Sequence, residues 1–552
     1  MKKNFLIFGL LLTIFISCFV FTSCGNEVTV DDFQYKINDK KIAEIVKYLG
    51  DEEVVNIPEK FGNSVSLLLD SKTFTSSKNV TEVYIPSTVK EIKGNPFIDC
   101  ISLKKIVVDE NNPNYKSVDG CLYDKSGSIL ISCPIMVDIK SLNISGVSEI
   151  LDYALEKNCF IENVSFSSSV SKIGIKSFSS MKALKNISFE EGLKKIGDFC
   201  FSDNALLDNV KLPKSLTDMG IGMFENCLSL NEIKFQNDEI IIPERAFYNC
   251  KKLSSLPQGN LKEIKANAFN NCDSLEKVSI PESVTFIGKN AFDGCDNLNT
   301  LDMGKALVEE YAFANCPSLK TVHIETSNGI VPKYAFYSCT SLENVSFGSS
   351  VKEIKSYAFS YGAMKEVSIP DSVTSIGGSV FLGCKNLEKV SMPDSVSEVG
   401  TYVFYDCPSL KSVRLSDNLE TIPEYFFCHC LNLTEVNIPS KLETVGKYAF
   451  FCCRKLPSVS LPKGLKTIGE YSFAYCDSFS DITLPSSLTS LKKESFANSK
   501  GLKTIYIPES VSSFGADIFK SSNALKTVYV KKGSKADEWL KKNKGSYKIE
   551  YK

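Results

Sequence analysis

A phenylalanine that recurs every 23 residues is the feature of this 552-residue chain that most restricts its fold. Between residues 178 and 519 the step departs from 23 only at two steps of 22 and one of 21. Phe74, Phe97 and Leu155 continue the register upstream and bring the repeats to 19. A fixed period of this size predicts a solenoid, in which each repeat is one coil stacked on its neighbours, with long surfaces and rarely a catalytic pocket. The register phenylalanines of the regular part are Phe178, Phe201, Phe224, Phe247, Phe269, Phe292, Phe313, Phe336, Phe359, Phe381, Phe404, Phe427, Phe450, Phe473, Phe496 and Phe519.

The repeat at residues 269–292 shows what each coil encodes. Apolar and polar residues alternate towards the end of residues 275–280, which predicts a short strand with one buried face. Pro281 ends the strand because proline cannot donate to a strand ladder. Ala291 and Phe292 follow the preceding isoleucine at a spacing that suits one helical turn with these side chains inward. We therefore expect one strand and one short helical turn in each coil.

The N-terminus has the composition of an export signal. Two lysines precede the apolar run 5–21, and Phe-Thr-Ser before Cys24 resembles a bacterial lipobox. We predict a lipoprotein signal peptide over 1–23 and lipid attachment at Cys24, with 24–35 as anchor and tether. A plain signal peptide cleaved nearby is the alternative. The formal net charge of -2 gives no reason to expect nucleic acid or anionic lipid as a partner, so membrane contact is expected through the lipid alone.

Several phrases of the sequence resemble one known family. "AFNNCDSLEKVSIPESVTFIG" at 268–288 and its copies are similar to the BspA-type leucine-rich repeat of bacterial surface proteins. The resemblance implies a leucine-rich-repeat solenoid, a curved right-handed coil with a parallel sheet on the concave face and short helical or 3-10 turns on the convex side. It also implies a role in adhesion to host proteins or other cells. The predicted organisation is an N-terminal cap at 36–73, a repeat array at 74–530 with a hairpin insertion at 108–134, and a C-terminal cap at 531–552.

The cysteines follow the repeat rather than a disulfide pattern. Twelve of the 20 lie three residues after the register phenylalanine. Each could therefore form a disulfide equally well with the cysteine of the coil before or of the coil after, which argues against defined pairs. We predict that these twelve are buried, unpaired thiols. Cys121 and Cys133 flank a turn in the insertion and face each other; a disulfide is an open alternative, but two packed thiols are favoured. The twelve are Cys100, Cys227, Cys250, Cys272, Cys295, Cys316, Cys339, Cys384, Cys407, Cys430, Cys453 and Cys476.

No catalytic or metal-binding motif stands out. His323 lies in a predicted strand on its outward face and is interpreted as a surface residue. His429 and Cys452 occupy the same repeat position in adjacent coils, but Cys430 and Cys453 point inward, which disfavours a zinc site. The chain has no nucleophile elbow, P-loop, zincin or dinucleotide fingerprint. We therefore expect no enzymatic activity, no metal and no cofactor.

The candidate binding residues lie where the repeat varies. The outward strand positions are polar and of mixed charge, with Tyr506 and Tyr529 as their few aromatic anchors. A tyrosine stripe on the convex side or its rim is predicted instead at the position two residues before the register phenylalanine, interrupted by Ser379. Mutual stacking that shields the turn is the alternative interpretation to an adhesive surface. The stripe comprises Tyr311, Tyr334, Tyr357, Tyr402, Tyr425, Tyr448 and Tyr471.

These features predict a non-enzymatic protein that is exported, lipid-anchored to the bacterial cell envelope and displayed at the outward surface. Its expected partners are host extracellular-matrix or cell-surface proteins, or other cells. An envelope scaffold that binds components of the same bacterium is the alternative. A helix over about 534–543 is expected to place Trp539 on the last coil, with the lysine-rich remainder in water.

Overall fold

The computed structural model describes residues 27–552, so the predicted signal peptide and Cys24 lie outside the described residues. The chain forms two compact units. The first runs to Ile139 and includes Gly146–Phe160; the second comprises Lys140–Ser145 and Ile161–Lys552. Both are stacks of short strands and turns, and the one α-helix of the described chain is Lys535–Lys542. No helix in the part of the chain described here is long and apolar enough to span a membrane.

The first unit begins with antiparallel strands and then becomes parallel. Val28–Val30 and Ala43–Tyr48 both pair with Phe33–Ile37 in the antiparallel sense, and Leu67–Leu69 then adds to Ala43–Tyr48 in parallel. In the insertion, Cys121–Asp124 pairs antiparallel with strands on both sides. The other strands of the unit are Val54–Asn56, Glu82–Ile85, Val89–Ile92, Lys105–Val108, Tyr115–Val118, Ile129–Ser132 and Glu149–Ile150.

The second unit stacks its main strands in parallel register, one repeat apart. Asn163 pairs with Asn186 and Val164 with Ile187, so the same repeat position meets in successive coils. In most of these strands the second residue is buried, and in strands such as Thr321–Ile324 the fourth is buried as well, which is why apolar and polar residues alternate there. These strands are Ser141–Ile144, Asn163–Phe166, Asn186–Phe189, Asn209–Lys211, Glu232–Lys234, Lys277–Ser279, Thr300–Asp302, Thr321–Ile324, Asn344–Phe347, Glu366–Ser368, Lys389–Ser391, Ser412–Arg414, Glu435–Val436, Asp481–Thr483, Thr504–Ile507, Thr527–Val530 and Lys548–Tyr551.

Each coil carries a second, shorter strand that the sequence did not predict. Phe286–Ile287 pairs in parallel with Leu261–Ile264 before it and Leu307–Val308 after it. The buried isoleucine that precedes the turn therefore belongs to a strand and not to a helical turn. The other second strands are Lys172–Ile173, Lys195–Ile196, Asp218–Met219, Ile240–Ile242, Ile330–Val331, Glu353–Ile354, Ser375–Ile376, Glu398–Val399, Thr421–Ile422, Thr444–Val445, Thr467–Ile468, Ser490–Leu491 and Ser513–Phe514.

The helical turn expected around the register phenylalanine is wrong: this segment is a tight turn without helix. Asn267 and Asn271, two residues on either side of Phe269, have left-handed backbones with φ of 55° and 56°. Alternate amides of the turn donate to the next coil, as Phe269 N does to Ala291 O at 2.8 Å. A helix would direct these amides along its own chain, whereas the solenoid directs them from coil to coil.

The register phenylalanines form the core of the second unit. From Phe178 to Phe496 their side chains are fully buried, and adjacent rings stack with centroids between 5.1 and 6.3 Å apart. Offset stacking of aromatic rings adds to the free energy of burying them. The repeat period therefore places one ring of each coil on the ring of the coil before.

The helix Lys535–Lys542 closes the last coils. Ser534 caps its N-terminus, and Ala536 and Leu540 are buried. Trp539 stacks on Phe514 with centroids 5.3 Å apart, as the predicted position over the last coil requires. The lysine-rich remainder is exposed as predicted, at Lys541, Lys542, Lys544, Lys548 and Lys552. Within it, Lys548–Tyr551 adds in parallel to Thr527–Val530, a strand that the sequence did not predict.

Candidate binding surface

The seven predicted tyrosines form two stacked columns. The first column is Tyr311, Tyr334 and Tyr357, with ring centroids 4.4 and 4.7 Å apart. The second column is Tyr402, Tyr425, Tyr448 and Tyr471, with centroids 4.6, 4.7 and 4.8 Å apart. All seven side chains are half-buried, whereas Ser379, which separates the columns, is only 3% exposed.

The tyrosines occupy a backbone conformation that does not favour them. Their φ angles lie between 54° and 62°, in the left-handed region. For a residue with a large side chain this region costs about 1–2 kcal/mol, and in other coils the same position holds Asn267, Asn290 or Gly222. Each stacked pair contributes about 0.5–1.5 kcal/mol beyond its buried area, which offsets the backbone cost. Stacking therefore explains why the left-handed backbone tolerates tyrosine at these positions. It does not explain why the edges of the rings are half-exposed to solvent.

Self-stacking determines what the columns present to the solvent. The rings lie within 2–18° of parallel, so their faces are occupied by one another. A lysine also lies over the first ring of the first column and over the last ring of the second column. Lys289 Nζ is 5.9 Å from the ring centroid of Tyr311, and Lys493 Nζ is 5.7 Å from that of Tyr471. Ring edges and hydroxyl groups remain on the outside. Because the edge of an aromatic ring carries partial positive charge, this surface is a donor surface.

The tyrosine hydroxyls keep their protons. Partial burial raises the pKa of Tyr402, Tyr425 and Tyr448, and the neighbouring tyrosine of the column raises it further. Tyr471 donates its hydroxyl proton to Glu494 at 3.0 Å. The hydroxyls of Tyr402, Tyr425 and Tyr448 therefore remain hydrogen-bond donors above neutral pH.

A second set of aromatic residues lies beside the columns and was not expected from the sequence. In several coils an aromatic ring follows the register phenylalanine by one or two residues, and Tyr334 and Tyr402 contact this set at 5.4 and 5.6 Å. Aligning the repeats at those two positions would have found it. We call this set the aromatic row; it comprises Tyr337, Tyr361, Tyr405, His429, Phe451 and Tyr475.

His429 belongs to the aromatic row and not to a metal site. Its ring lies between Tyr405 and Phe451, with centroids 5.9 and 5.8 Å away. Burial raises the pKa of the Cys428 thiol to about 12, which opposes the thiolate that a metal needs. Across residues 27–552 no group of three or more histidine, cysteine or acidic side chains is placed to hold a metal ion. His323 is exposed on its strand, with Nδ1 2.9 Å from Ser346 Oγ.

The twelve predicted cysteines form a buried ladder of free thiols. Each donates its S–H to the carbonyl of the register phenylalanine one coil further back, as Cys250 does to Phe224 at 3.1 Å and Cys476 to Phe450 at 3.3 Å. Burial raises the pKa of Cys227 to about 12. These thiols are structural hydrogen-bond donors with little thiolate at neutral pH.

Cys121 and Cys133 correct a prediction in the first unit. They are joined by a disulfide and are not packed free thiols. The two cysteines lie next to the paired residues Leu122 and Ser132 on adjacent antiparallel strands. Direct cross-strand neighbours are close enough to bond, whereas the twelve ladder cysteines are free thiols.

The main-strand face carries few aromatic residues, as predicted. Tyr506 and Tyr529 are directly paired and half-buried near its C-terminal end. Lys552 Nζ lies 3.7 Å from the Tyr529 ring centroid, so one of these two rings is already in contact with a cation. The larger aromatic surface is on the turn side of the coils.

The comparisons with known proteins agree on the repeat. Six segments match the family model described as the BspA type leucine rich repeat region, and together they cover most of the chain. The chain therefore belongs to the BspA-type leucine-rich-repeat family. No curated protein matches it. The matched segments are residues 60–133, 148–259, 240–361, 306–432, 352–476 and 420–537.

Solved structures of bacterial leucine-rich-repeat proteins are similar over almost the whole chain. A protein from Bacteroides ovatus is 22% identical, with 95% of this chain and 99% of that one covered and a TM-score of 0.41. A leucine-rich cell surface protein from Faecalibacterium prausnitzii is 20% identical (93% and 96% covered, TM-score 0.30). The pneumococcal vaccine antigen PcpA is 18% identical (96% and 100% covered, TM-score 0.29).

Proposed function

We propose that this protein is a surface-displayed, lipid-anchored binding protein that attaches to host proteins or other cells through the tyrosine columns and the aromatic row. The observation that carries the proposal is the half-exposed aromatic surface between Tyr311 and Tyr475, in two parts separated at the coil of Ser379, which the repeat itself does not require. Coils with asparagine or glycine in the tyrosine position make the same turn. The fold is therefore independent of the tyrosines, and their selection needs another reason.

The chemistry of this surface supports protein binding. Tyrosine provides a large contact area with little loss of side-chain entropy, and it is enriched among the residues that dominate interfaces. Hydroxyl groups and positively polarised ring edges suit a partner rich in carbonyl and carboxylate oxygens. Because the same group repeats in successive coils, weak contacts add through avidity. The solenoid offers a surface for binding, and no reaction is proposed for it.

The test is attachment of the mature chain to a decellularised host extracellular matrix. The triple variant Tyr402→Asn, Tyr425→Asn and Tyr448→Asn is expected to fold, because Asn267 and Asn290 hold the same left-handed position in other coils. Its binding is expected to fall by at least about tenfold, the loss of a few contacts near 1 kcal/mol each. Circular dichroism and the urea midpoint check the fold.

A matched triple Tyr→Phe variant separates the rings from their hydroxyls. It keeps the stacks and the exposed area but loses three donors, so intermediate binding is expected. Full binding by a folded Asn triple would contradict the proposal. Protease added to intact cells tests display: cleavage supports an outward location, and complete protection supports the envelope scaffold in its place.

A further inference from the structure

In the described residues, the last turn around a register phenylalanine is followed by the helix Lys535–Lys542 and not by another turn of the repeat. In the preceding coil, the amides of Glu494, Phe496 and Asn498 donate to carbonyls of the next coil at 3.0, 3.0 and 2.7 Å. Asp517, Phe519 and Ser521 occupy these three positions in the last coil. Because no further turn of the repeat follows in the described residues, the carbonyls that accept from the earlier turns are missing here, and none of these three amides donates to an acceptor within residues 27–552. Three donors on alternate residues thus share one direction without a protein partner.

These amides lie at a cavity of about 450 Å³. One wall is the turn 517–523, and the opposite wall is Trp539 with the segment 542–547 that follows the helix. In the earlier coils the equivalent amides point along the stack towards the next coil, so those of the last turn point into this cavity. The aromatic rings of Phe519, Trp539 and Tyr547 complete its lining.

The charged groups of the cavity favour an anion. Lys520, Lys542 and Lys544 line it against the single carboxylate of Asp517, and Lys520 also forms an ion pair with Glu494 at 3.8 Å. Lys541 points elsewhere and pairs with Asp537 at 2.8 Å, whereas Lys542 and Lys544 form no ion pair in the described part of the chain. At the helix end, the amide and the side chain of Asn543 both donate to Trp539 O at 2.9 Å, which reduces the negative potential of the free carbonyls there.

We propose that this cavity is a binding site for an oxyanion, a carboxylate, sulfate or phosphate group, on a ligand with a ring that packs against the aromatic wall. Backbone amides can only donate, so their partner must be an acceptor. Successive amides held in one direction bind anions in many proteins. Hydrogen bonds between ammonium groups and such an anion are charge-assisted and therefore strong. The site is separate from the tyrosine columns. A test of anion binding here therefore does not depend on whether the proposed function is correct.

The cavity supplies its own reporter, because Trp539 is the only tryptophan of the chain. Its fluorescence is followed during titration of the mature protein with sodium sulfate, phosphate, acetate or glucuronate, against sodium chloride at constant ionic strength. A saturable change is expected with the oxyanions and not with chloride. Glucuronate binding more tightly than acetate identifies a ring-bearing anion as the ligand, and equal affinities for all the oxyanions identify a free inorganic or small anion.

Two double variants with the same loss of charge test the site. Lys542→Gln with Lys544→Gln removes the cavity lysines and is expected to weaken binding by at least about tenfold. Lys532→Gln with Lys535→Gln removes two exposed lysines outside the cavity and is expected to leave binding unchanged. The urea midpoint of each variant confirms the fold.

Three results would overturn the proposal. They are the absence of a saturable fluorescence change, equal weakening by the two double variants, and equally tight binding of a neutral tripeptide amide. Crystals soaked in selenate give a measurement that does not depend on any variant. Anomalous density within hydrogen-bond distance of the amides of 517, 519 and 521 is expected, and selenate bound only at other positions contradicts the site.

Discussion

The cysteine position shows how one hydrogen bond selects a residue in most coils. The side chain there is small enough for the core and donates to a phenylalanine carbonyl, whereas Met181 and Gly362 take the position in two coils and cannot make this bond. Ser499 and Ser522 take the same position and donate to Phe473 O and Phe496 O at 2.9 and 2.7 Å. Asn204 does the same to Phe178 O at 2.8 Å. Cysteine is one solution to this requirement, and redox chemistry is not needed to explain it.

Raised thiol pKa values predict that the protein loses stability in alkali. Burial raises the pKa of Cys100, Cys227 and Cys384 to about 12, against about 8.5 in an unfolded chain. The unfolded state therefore loses these protons first, so stability is intact below pH ~8.5 and falls as the pH rises towards 12. The urea midpoint measured between pH 7 and 11 is expected to decrease.

The control for this effect is Cys227→Ser with Cys384→Ser, which keeps the hydrogen bonds and removes two titrating groups. Its midpoint is expected to fall less steeply with pH than that of the natural chain, although tyrosines and lysines titrate in both. Identical slopes would show that the ladder thiols do not contribute.

At the scale of the coil, the glycine that follows the second strand sets how closely successive coils approach. A Cβ on Gly446 would lie 2.7 Å from Glu424 N and from the carbonyl carbon of Pro423, both backbone atoms of the preceding coil. The φ of this glycine is not in the left-handed region, so its small size is required and its flexibility is not. Backbone contact between coils is therefore selected in the sequence as a repeated glycine.

Gly446→Ala is expected to destabilise the array by about 1–3 kcal/mol, because the neighbouring backbone has to move. Gly464→Ala is the matched control. There the nearest atom to a Cβ is Leu442 O at 3.8 Å, and the change is expected to be neutral or to stabilise by about 0.4–1 kcal/mol. Urea unfolding of both variants is the measurement, and equal midpoints would contradict the close-approach argument.

At the scale of the molecule, each coil contacts mainly its neighbours, so a destabilising substitution is expected to loosen only the coils around it. The disulfide Cys121–Cys133 lies wholly in the first unit. Replacing both cysteines by serine is expected to cost about 2–4 kcal/mol and to speed hydrogen exchange in peptides around 115–132. Mass spectrometry should show unchanged exchange in peptides covering 300–500. Faster exchange there would mean that the array unfolds as one cooperative body.

In the proposed function, binding at this scale depends on positions where the repeat varies. The phenylalanine, cysteine and glycine positions are constrained by neighbouring coils, and the aromatic surface is not. A solenoid of this kind can change its binding residues without changing its core. Packing against the next coil does not require a tyrosine at the positions of the tyrosine columns. At the cavity beside Trp539, no further turn of the repeat packs on the last turn in the described residues.

The sequence alone determined the repeat, the parallel main strands, the buried ladder thiols and the seven tyrosines, because each follows from a residue recurring at one period. Only the tertiary structure decided the rest. The second strand and the left-handed turns arise because backbone amides bond to the next coil, about 23 residues away. The spacing of residues within one coil does not show which distant carbonyl accepts each of these bonds. The aromatic row, the Cys121–Cys133 bond and the unpaired amides of the last turn likewise depend on which segments lie side by side. A period fixes which positions meet, whereas contacts outside the period appear only when the chain is folded.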